Sequence, residues 1–130
     1  TIFISSDRPD TDFTSKLSDV SPDGKSLLVT YGTRRGSLPN GYALHEPLNE
    51  GEFCELEVEL WSTSLVFNKG HRIRIAVSSS NSPRFEPNPN TGDPHPTAGK
   101  TRVATNSLHL SKEHPSRIVL PIYKDESAGR

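Results

Sequence analysis

Turn-forming residues recur about every ten positions along this chain, and that spacing limits what can form between them. The sequence contains 11 prolines and 9 glycines. Proline lacks a backbone donor and glycine favours turns, so the ordered segments must be short. These segments are rich in Val, Ile, Thr, Ser, Phe and Tyr, which favour strands, and none shows the pattern of an amphipathic helix. The sequence therefore predicts an all-β domain, a β-sandwich or jelly roll.

Strand signals are clearest in two parts of the chain. Residues 12–20 and 27–31 flank the turn sequence Ser21-Pro22-Asp23-Gly24, which predicts a β-hairpin. Residues 53–60 alternate apolar with acidic side chains, and residues 71–79 alternate apolar with basic ones. We expect these two strands to pair antiparallel, with glutamates facing arginines. The inward residues that this pairing places in one core are Cys54, Leu56, Ile73 and Ile75.

Proline also marks the loops in the second half of the chain. Five prolines fall within residues 81–100, which predicts a long loop. Residues 101–110 and 116–123 predict two further strands, separated at Pro115. We therefore expect one domain over residues 1–123 and a polar tail at residues 124–130.

The charge balance argues against two classes of partner. The 15 basic residues nearly cancel the 16 acidic ones. The chain therefore has no general electrostatic field that would attract nucleic acid or an anionic membrane. The sequence contains no run of 18 apolar residues, the length that a membrane-spanning helix requires. The single Cys54 excludes an internal disulfide and fits a small buried apolar position.

No motif in the chain predicts catalysis. Serine hydrolases of the α/β class require a Gly-x-Ser-x-Gly turn, and no serine here has glycines at both flanking positions. The five histidines lack the spacing of a zinc site. We therefore predict no catalytic, cofactor-binding or metal-binding residue and expect the chain alone to hydrolyse nothing. One alternative stays open, because Asp7, Asp10 and Asp12 form an acidic loop that could hold calcium or serve only as loop formers.

Several motifs together resemble one protein family. In chain order they are Ser5-Ser6-Asp7-Arg8-Pro9, Leu17-Ser18-Asp19-Val20-Ser21-Pro22-Asp23-Gly24, Leu60-Trp61-Ser62-Thr63-Ser64, Gly70-His71-Arg72-Ile73-Arg74, Ser78-Ser79-Ser80-Asn81, Pro83-Arg84-Phe85, Asn88-Pro89-Asn90-Thr91-Gly92 and His114-Pro115-Ser116. This set resembles the C-terminal non-catalytic domain of the X-Pro dipeptidyl-peptidase superfamily, which includes bacterial cocaine esterases, α-amino acid ester hydrolases and glutaryl-7-aminocephalosporanic acid acylases. The resemblance runs from residue 1 to residue 123.

The resemblance implies a galactose-binding-like jelly-roll β-sandwich packed on the α/β-hydrolase domain of the same parent chain. In that family the serine triad lies in the hydrolase domain, so the role implied here is to support that domain and shape its active-site cleft. Arginine and aromatic side chains dominate interface energetics, which makes the loop at 81–92 a candidate interface. An equal alternative is that its Arg84 and Phe85 hold the loop on their own sandwich. The candidate interface residues are Asn81, Arg84, Phe85, Asn90, Thr91 and Trp61.

Other functional classes also remain open from the sequence. A free-standing carbohydrate-binding jelly roll and a purely structural module are the alternatives to an accessory domain. Residues 1–4 resemble the middle of a strand, so we expect a chain truncated at its N-terminus. Such a chain would self-associate, either by strand pairing near residues 1–6 or through the face that includes the loop at 81–92. The sequence does not fix the compartment, and the bacterial cytoplasm is the expected one.

Overall fold

The described structure, a computed structural model, covers residues 1–123 and consists of six strands joined by turns and loops. The strands are β1 (Ile2–Ser6), β2 (Asp12–Val20), β3 (Ser26–Arg35), β4 (Cys54–Leu56), β5 (Arg72–Ser78) and β6 (Asn106–His109). The all-β prediction is confirmed. Within these 123 residues the structure has no helix long and apolar enough to cross a membrane. The polar tail expected at residues 124–130 lies outside the described residues.

The predicted hairpin is present as β2 and β3, which pair antiparallel from Asp12↔Arg35 to Val20↔Ser26. The backbone N–H of Gly24 donates to the carbonyl oxygen of Ser21 at 2.9 Å, which closes the turn. Gly24 has a φ of 88°, a conformation that is costly for residues with a Cβ atom. The turn chemistry therefore explains where the chain reverses.

Two three-stranded antiparallel sheets form the sandwich, one in the order β4-β1-β6 and the other in the order β3-β2-β5. Apolar side chains from both sheets meet between them. The buried members of this core are Ile2, Ile4, Phe13, Leu56 and Val58, and Leu48, Cys54 and Val77 pack against it. Within residues 53–60 only Cys54–Leu56 forms a strand, so the predicted strand is too long. The alternation is confirmed, because Leu56 and Val58 are buried while the glutamates at 55, 57 and 59 are exposed.

The predicted pairing of residues 53–60 with residues 71–79 is wrong. β4 pairs with β1, whereas β5 pairs with β2, so the two strands lie in different sheets. Ile75 is 38% exposed and Ile73 is 52% exposed, so neither joins the buried core with Leu56 and Cys54. Alternation fixes which side chains share a face, but the neighbouring strand depends on contacts distant in sequence.

The strand predictions after residue 100 are only partly correct. Residues 106–109 form β6, but residues 101–105 and 116–123 are not in strands. Val119 and Ile122 are largely exposed. The long loop predicted for residues 81–100 is confirmed.

Strand β1 lies between β4 and β6, in the middle of its sheet. The expected self-association by edge pairing at residues 1–6 is therefore wrong, because both edges of that strand are already paired.

Candidate domain-interface site

A buried carboxylate, Asp10, holds the loop at residues 81–100 against the sandwich. Its Oδ1 accepts hydrogen bonds from the backbone N–H groups of Thr11 at 2.9 Å and Ser37 at 3.0 Å. Its Oδ2 accepts a hydrogen bond at 2.9 Å from Nδ2 of Asn88, which belongs to the loop. Hydrogen bonds to an ionised carboxylate are stronger than neutral ones, so this contact fixes the loop at Asn88.

Arg35 at the end of β3 supplies the balancing positive charge. Its Nε lies 3.1 Å from Oδ1 of Asp12 and 3.8 Å from Oδ2 of Asp10. Partial burial acts to lower the pKa of Arg35, but the hydrogen bond to Asp12 and the charges of Asp12, Asp10 and Glu86 outweigh it and raise that pKa. Nδ2 of Asn88 also donates to Oδ1 of Asp12 at 2.7 Å. The loop therefore rests on a compact charged network.

The carboxylates of the acidic loop, Asp7, Asp10 and Asp12, are each engaged by other residues of the domain. Asp7 accepts a hydrogen bond at 2.7 Å from the backbone N–H of Thr105, and that hydrogen bond lowers the pKa of Asp7. Asp10 and Asp12 accept hydrogen bonds from Asn88 and Arg35 instead. Among residues 1–123, no group of three or more His, Cys, Asp or Glu side chains is arranged to hold a metal ion.

Three of the six candidate interface residues meet around Tyr31 on β3. Nε of Arg84 donates to the Tyr31 hydroxyl at 2.9 Å, and the Phe85 ring packs edge-on against the Tyr31 ring with centroids 6.3 Å apart. The backbone N–H of Trp61 donates to the Tyr31 carbonyl at 3.5 Å, and Trp61 is 69% exposed. Arg84 and Phe85 thus hold the loop on its own sandwich, while both keep an exposed face.

The other three candidates stabilise the loop itself. The carbonyl oxygen of Asn81 accepts a hydrogen bond from the Phe85 N–H at 3.0 Å. Asn90 has a φ of 59°, and its Nδ2 donates to the Arg102 carbonyl at 2.9 Å. The hydroxyl of Thr91 accepts a hydrogen bond from the Asp93 N–H at 3.4 Å. These residues therefore do not join the group around Tyr31, although they belong to the same loop.

A polar cavity of about 400 Å³ lies beside this loop. Nδ2 of Asn106 donates to the hydroxyls of Thr11 at 2.9 Å and Ser79 at 2.8 Å. No aromatic side chain is present in the wall, which consists of Thr11, Ser79, Ser80, Pro87, Asn88, Asn90, Ala104 and Asn106. This cavity therefore offers no aromatic side chain on which a sugar ring could stack.

A serine–histidine pair that no sequence motif predicts lies on the outer face of the β4-β1-β6 sheet. Oγ of Ser5 lies 2.9 Å from Nε2 of His109, because β1 pairs with β6. The His109 ring is 4.7 Å from the Phe53 ring, and Phe53 stacks on His114 at 3.8 Å. Ser5 and His109 are 104 positions apart, so only the strand pairing could have revealed their contact.

Within residues 1–123, the Ser5–His109 pair lacks the third member of a catalytic triad. A triad needs a carboxylate that orients the histidine. In the described part of the chain, no hydrogen bond of His109 involves a carboxylate. Ser5 lies in the middle of a regular strand and not at the strained turn that exposes a nucleophile.

We therefore expect the 130-residue chain to hydrolyse p-nitrophenyl acetate and X-Pro p-nitroanilides no faster than buffer. Spectrophotometric assays of the chain and its Ser5→Ala variant should give the same baseline. A rate that Ser5→Ala and a serine-directed phosphonate both abolish would contradict this prediction.

The two sheets and the loop network define a β-sandwich domain. Its buried polar groups hold a loop in place, and within residues 1–123 no carboxylate completes the Ser5–His109 pair. The chain belongs to the family of X-Pro dipeptidyl-peptidase C-terminal non-catalytic domains, whose family model matches residues 1–119. The resemblance inferred from the motifs is confirmed.

Known relatives carry this domain as the C-terminal part of larger hydrolases. The chain is 41% identical over 125 residues to cocaine esterase from Rhodococcus sp. strain MB1 Bresler, a match that covers 95% of the chain and 22% of the esterase. An α-amino acid ester hydrolase structure superposes with a TM-score of 0.80 at 26% identity, over 89% of this chain and 22% of that one. An aminopeptidase structure from a marine sediment archaeon, Thaumarchaeota archaeon, superposes with a TM-score of 0.82 at 28% identity, over 88% of this chain and 21% of that one. The chain thus spans about a fifth of the length of these relatives.

Proposed function

We propose that this chain is the accessory C-terminal domain of a serine hydrolase that acts on acyl esters, amides or X-Pro peptides. In this role it packs on the catalytic domain of the same polypeptide and helps to shape the active-site cleft. The family match over residues 1–119 carries the proposal. The relatives named as an esterase, an ester hydrolase and an aminopeptidase support it, because all three act on acyl bonds.

The outer face of the loop at 81–100 is the surface that we propose packs on the catalytic domain. Rigid loops make better interfaces because less ordering entropy is lost on binding. The bonds from Asn88 to Asp10 and Asp12 supply that rigidity. Arg84 and Phe85 both keep an exposed face, and arginine and aromatic residues are the types that dominate interface energetics.

A free-standing carbohydrate-binding module is not favoured. The relatives are hydrolases of acyl compounds by name, and the polar cavity beside the loop lacks an aromatic wall.

The open reading frame that encodes this chain provides the first test. We expect it to continue upstream through a Gly-x-Ser-x-Gly turn, and we expect the encoded protein to hydrolyse p-nitrophenyl acetate or X-Pro p-nitroanilides. A frame with no hydrolase sequence would overturn the proposal.

The interface is tested in that full-length enzyme with the double variant Arg84→Ala, Phe85→Ala. We expect kcat/KM to fall about tenfold, which corresponds to about 1.4 kcal/mol of lost transition-state stabilisation. Tyr31→Phe is the matched control, because it removes the partner that Arg84 has within this domain but keeps both loop side chains. Equal effects of the control and the double variant would show that Arg84 and Phe85 only hold the loop on the sandwich.

A further inference from the structure

Asn40 is the one asparagine in the chain that precedes a glycine. An asparagine side chain reacts with the backbone when the amide nitrogen of the next residue attacks its Cγ atom and closes a succinimide ring. A Cβ atom on that next residue hinders the attack, and glycine has none. The sequence Asn40-Gly41 therefore places an electrophilic side chain beside an unhindered nitrogen.

The structure leaves both reacting groups of this pair accessible. Asn40 is exposed, and a Cβ atom added at Gly41 would meet no other atom within 4 Å. In the described part of the chain, no backbone carbonyl accepts a hydrogen bond from the Gly41 N–H. The attacking nitrogen is therefore not held by the fold.

The pair lies within residues 39–45, in the loop that joins β3 to β4. The N–H of Glu46 donates to the Ser37 carbonyl at 2.8 Å and closes the base of this segment. Among residues 1–123, no backbone hydrogen bond involves residues 39–45. Closing the succinimide ring therefore breaks no backbone hydrogen bond of the domain.

One side-chain contact restrains Asn40. Its Nδ2 donates a hydrogen bond to Oε2 of Glu46 at 3.0 Å. A single hydrogen bond at the surface slows a local rearrangement by about tenfold at most. This restraint is therefore too weak to prevent the reaction.

The turn at Asp23-Gly24 shows how the fold protects a pair of the same kind. Aspartate followed by glycine forms the same succinimide, but here the N–H of Gly24 donates to the Ser21 carbonyl at 2.9 Å. Oδ1 of Asp23 accepts a hydrogen bond from the Lys25 N–H at 3.2 Å. Both reacting groups are held, so we expect Asp23 to stay unmodified in the folded chain.

We propose that Asn40 is a site of spontaneous deamidation in the folded chain. The Gly41 nitrogen bonds to Cγ of Asn40 and gives up its proton, and the side-chain nitrogen takes up a proton and leaves as ammonia. Water then adds to one of the two carbonyl carbons of the succinimide and breaks the bond between that carbon and the ring nitrogen. Opening on one side gives aspartate at position 40, and opening on the other side gives isoaspartate.

The reaction changes the charge beside Glu46. The side chain that donates a hydrogen bond to Glu46 becomes a carboxylate, and two carboxylates at that distance repel each other. The ring of Tyr42, 5.3 Å from the guanidinium carbon of Arg34, is not altered by the reaction. Deamidation therefore releases residues 39–45 from Glu46 and leaves the Tyr42 contact in place.

The test incubates the folded 130-residue chain in neutral buffer and digests samples with trypsin. The peptide of residues 36–69 carries Asn40, Asn49 and Asn68, so one fragment spectrum compares the three sites. Asn49 is the matched control, because it is also exposed and its Nδ2 also donates to a glutamate, Glu52, at 2.8 Å. We expect Asn40 to convert at least about tenfold faster than the other two, to aspartate and isoaspartate. Similar rates at the three sites would overturn the proposal.

A parallel incubation in guanidinium chloride measures the rate at Asn40 in the unfolded chain. We expect the rate in the folded chain to lie within about tenfold of it, because the contact with Glu46 is the restraint that must be overcome. A larger protection by folding would show that the loop holds the pair and would also overturn the proposal.

The release of residues 39–45 is tested with Asn40→Asp. Chymotrypsin should cleave after Tyr42, which is 81% exposed, about fivefold faster in this variant than in the parent chain. The double variant Asn40→Asp, Glu46→Gln should return to the parent rate, because the glutamine amide again donates a hydrogen bond to its partner. Equal cleavage of the three proteins would overturn the release, while the conversion rates decide the modification itself.

Discussion

Replacing Phe13 by alanine is expected to lower the free energy of unfolding by about 3–5 kcal/mol. Phe13 is 3% exposed and lies on β2, where it packs with Ile4, Leu56 and Val58 between the two sheets. Removing the ring loses its apolar burial and leaves a cavity that the backbone of two paired sheets cannot readily close. Because domains are typically stable by only about 5–15 kcal/mol, this loss is a large share of the total.

Urea denaturation followed by far-ultraviolet circular dichroism measures this loss. Phe53→Ala is the matched control, because Phe53 is 57% exposed and its ring stacks on His114 outside the core. We expect the control to cost only about 0.5–1.5 kcal/mol, the value of one aromatic pair. Equal losses for the two variants would show that the sheets do not enclose Phe13.

Local chemistry explains why some of the fold could be predicted from the sequence. The Ser21-Pro22-Asp23-Gly24 turn is closed by bonds between neighbouring residues, so its position is encoded in four residues. The alternation at 53–60 likewise fixes that Leu56 and Val58 point inward. Both signals depend on short-range geometry, and both proved correct.

Strand partners depend on contacts that are distant in the chain. β4 could have paired with β5 by charge complementarity, but it lies beside β1, more than 45 residues before it. The exposure of Ile75 follows from its place on β5, at the edge of its sheet, which no pattern within residues 71–79 encodes. Periodicity identifies a strand's face but not its neighbour.

The candidate site likewise combines residues that the sequence identifies with contacts that it does not predict. The residue types of Arg84 and Phe85 marked them as interface candidates, and the structure brings both to the Tyr31 side chain. The buried Asp10–Asn88 contact joins residues 78 positions apart and was not predictable. The acidic loop suggested calcium because sequence spacing does not reveal that Arg35 and Asn88 already bond to its carboxylates.

A single glycine, Gly32, determines how closely residues 57–61 approach β3. Gly32 is buried and pairs with Ser15, and a Cβ atom added to it would overlap the carbonyl oxygen of Glu59 and lie 2.8 Å from its carbonyl carbon. The clash is with backbone, so no side-chain rotation can relieve it. The segment that would have to move carries Val58, a member of the core.

We therefore expect Gly32→Ala to lower the free energy of unfolding by at least about 3 kcal/mol, the upper part of the range for overpacking, because Val58 must move with the displaced backbone. Trp61 is the only tryptophan in the chain, so its fluorescence during urea denaturation reports on this segment directly. Thr30→Ala is the control, because it removes one hydrogen bond to the same segment without adding volume and should cost only about 1 kcal/mol. A Gly32→Ala variant within about 0.5 kcal/mol of the parent sequence, with unchanged Trp61 emission, would show that residues 57–61 do not rest on β3.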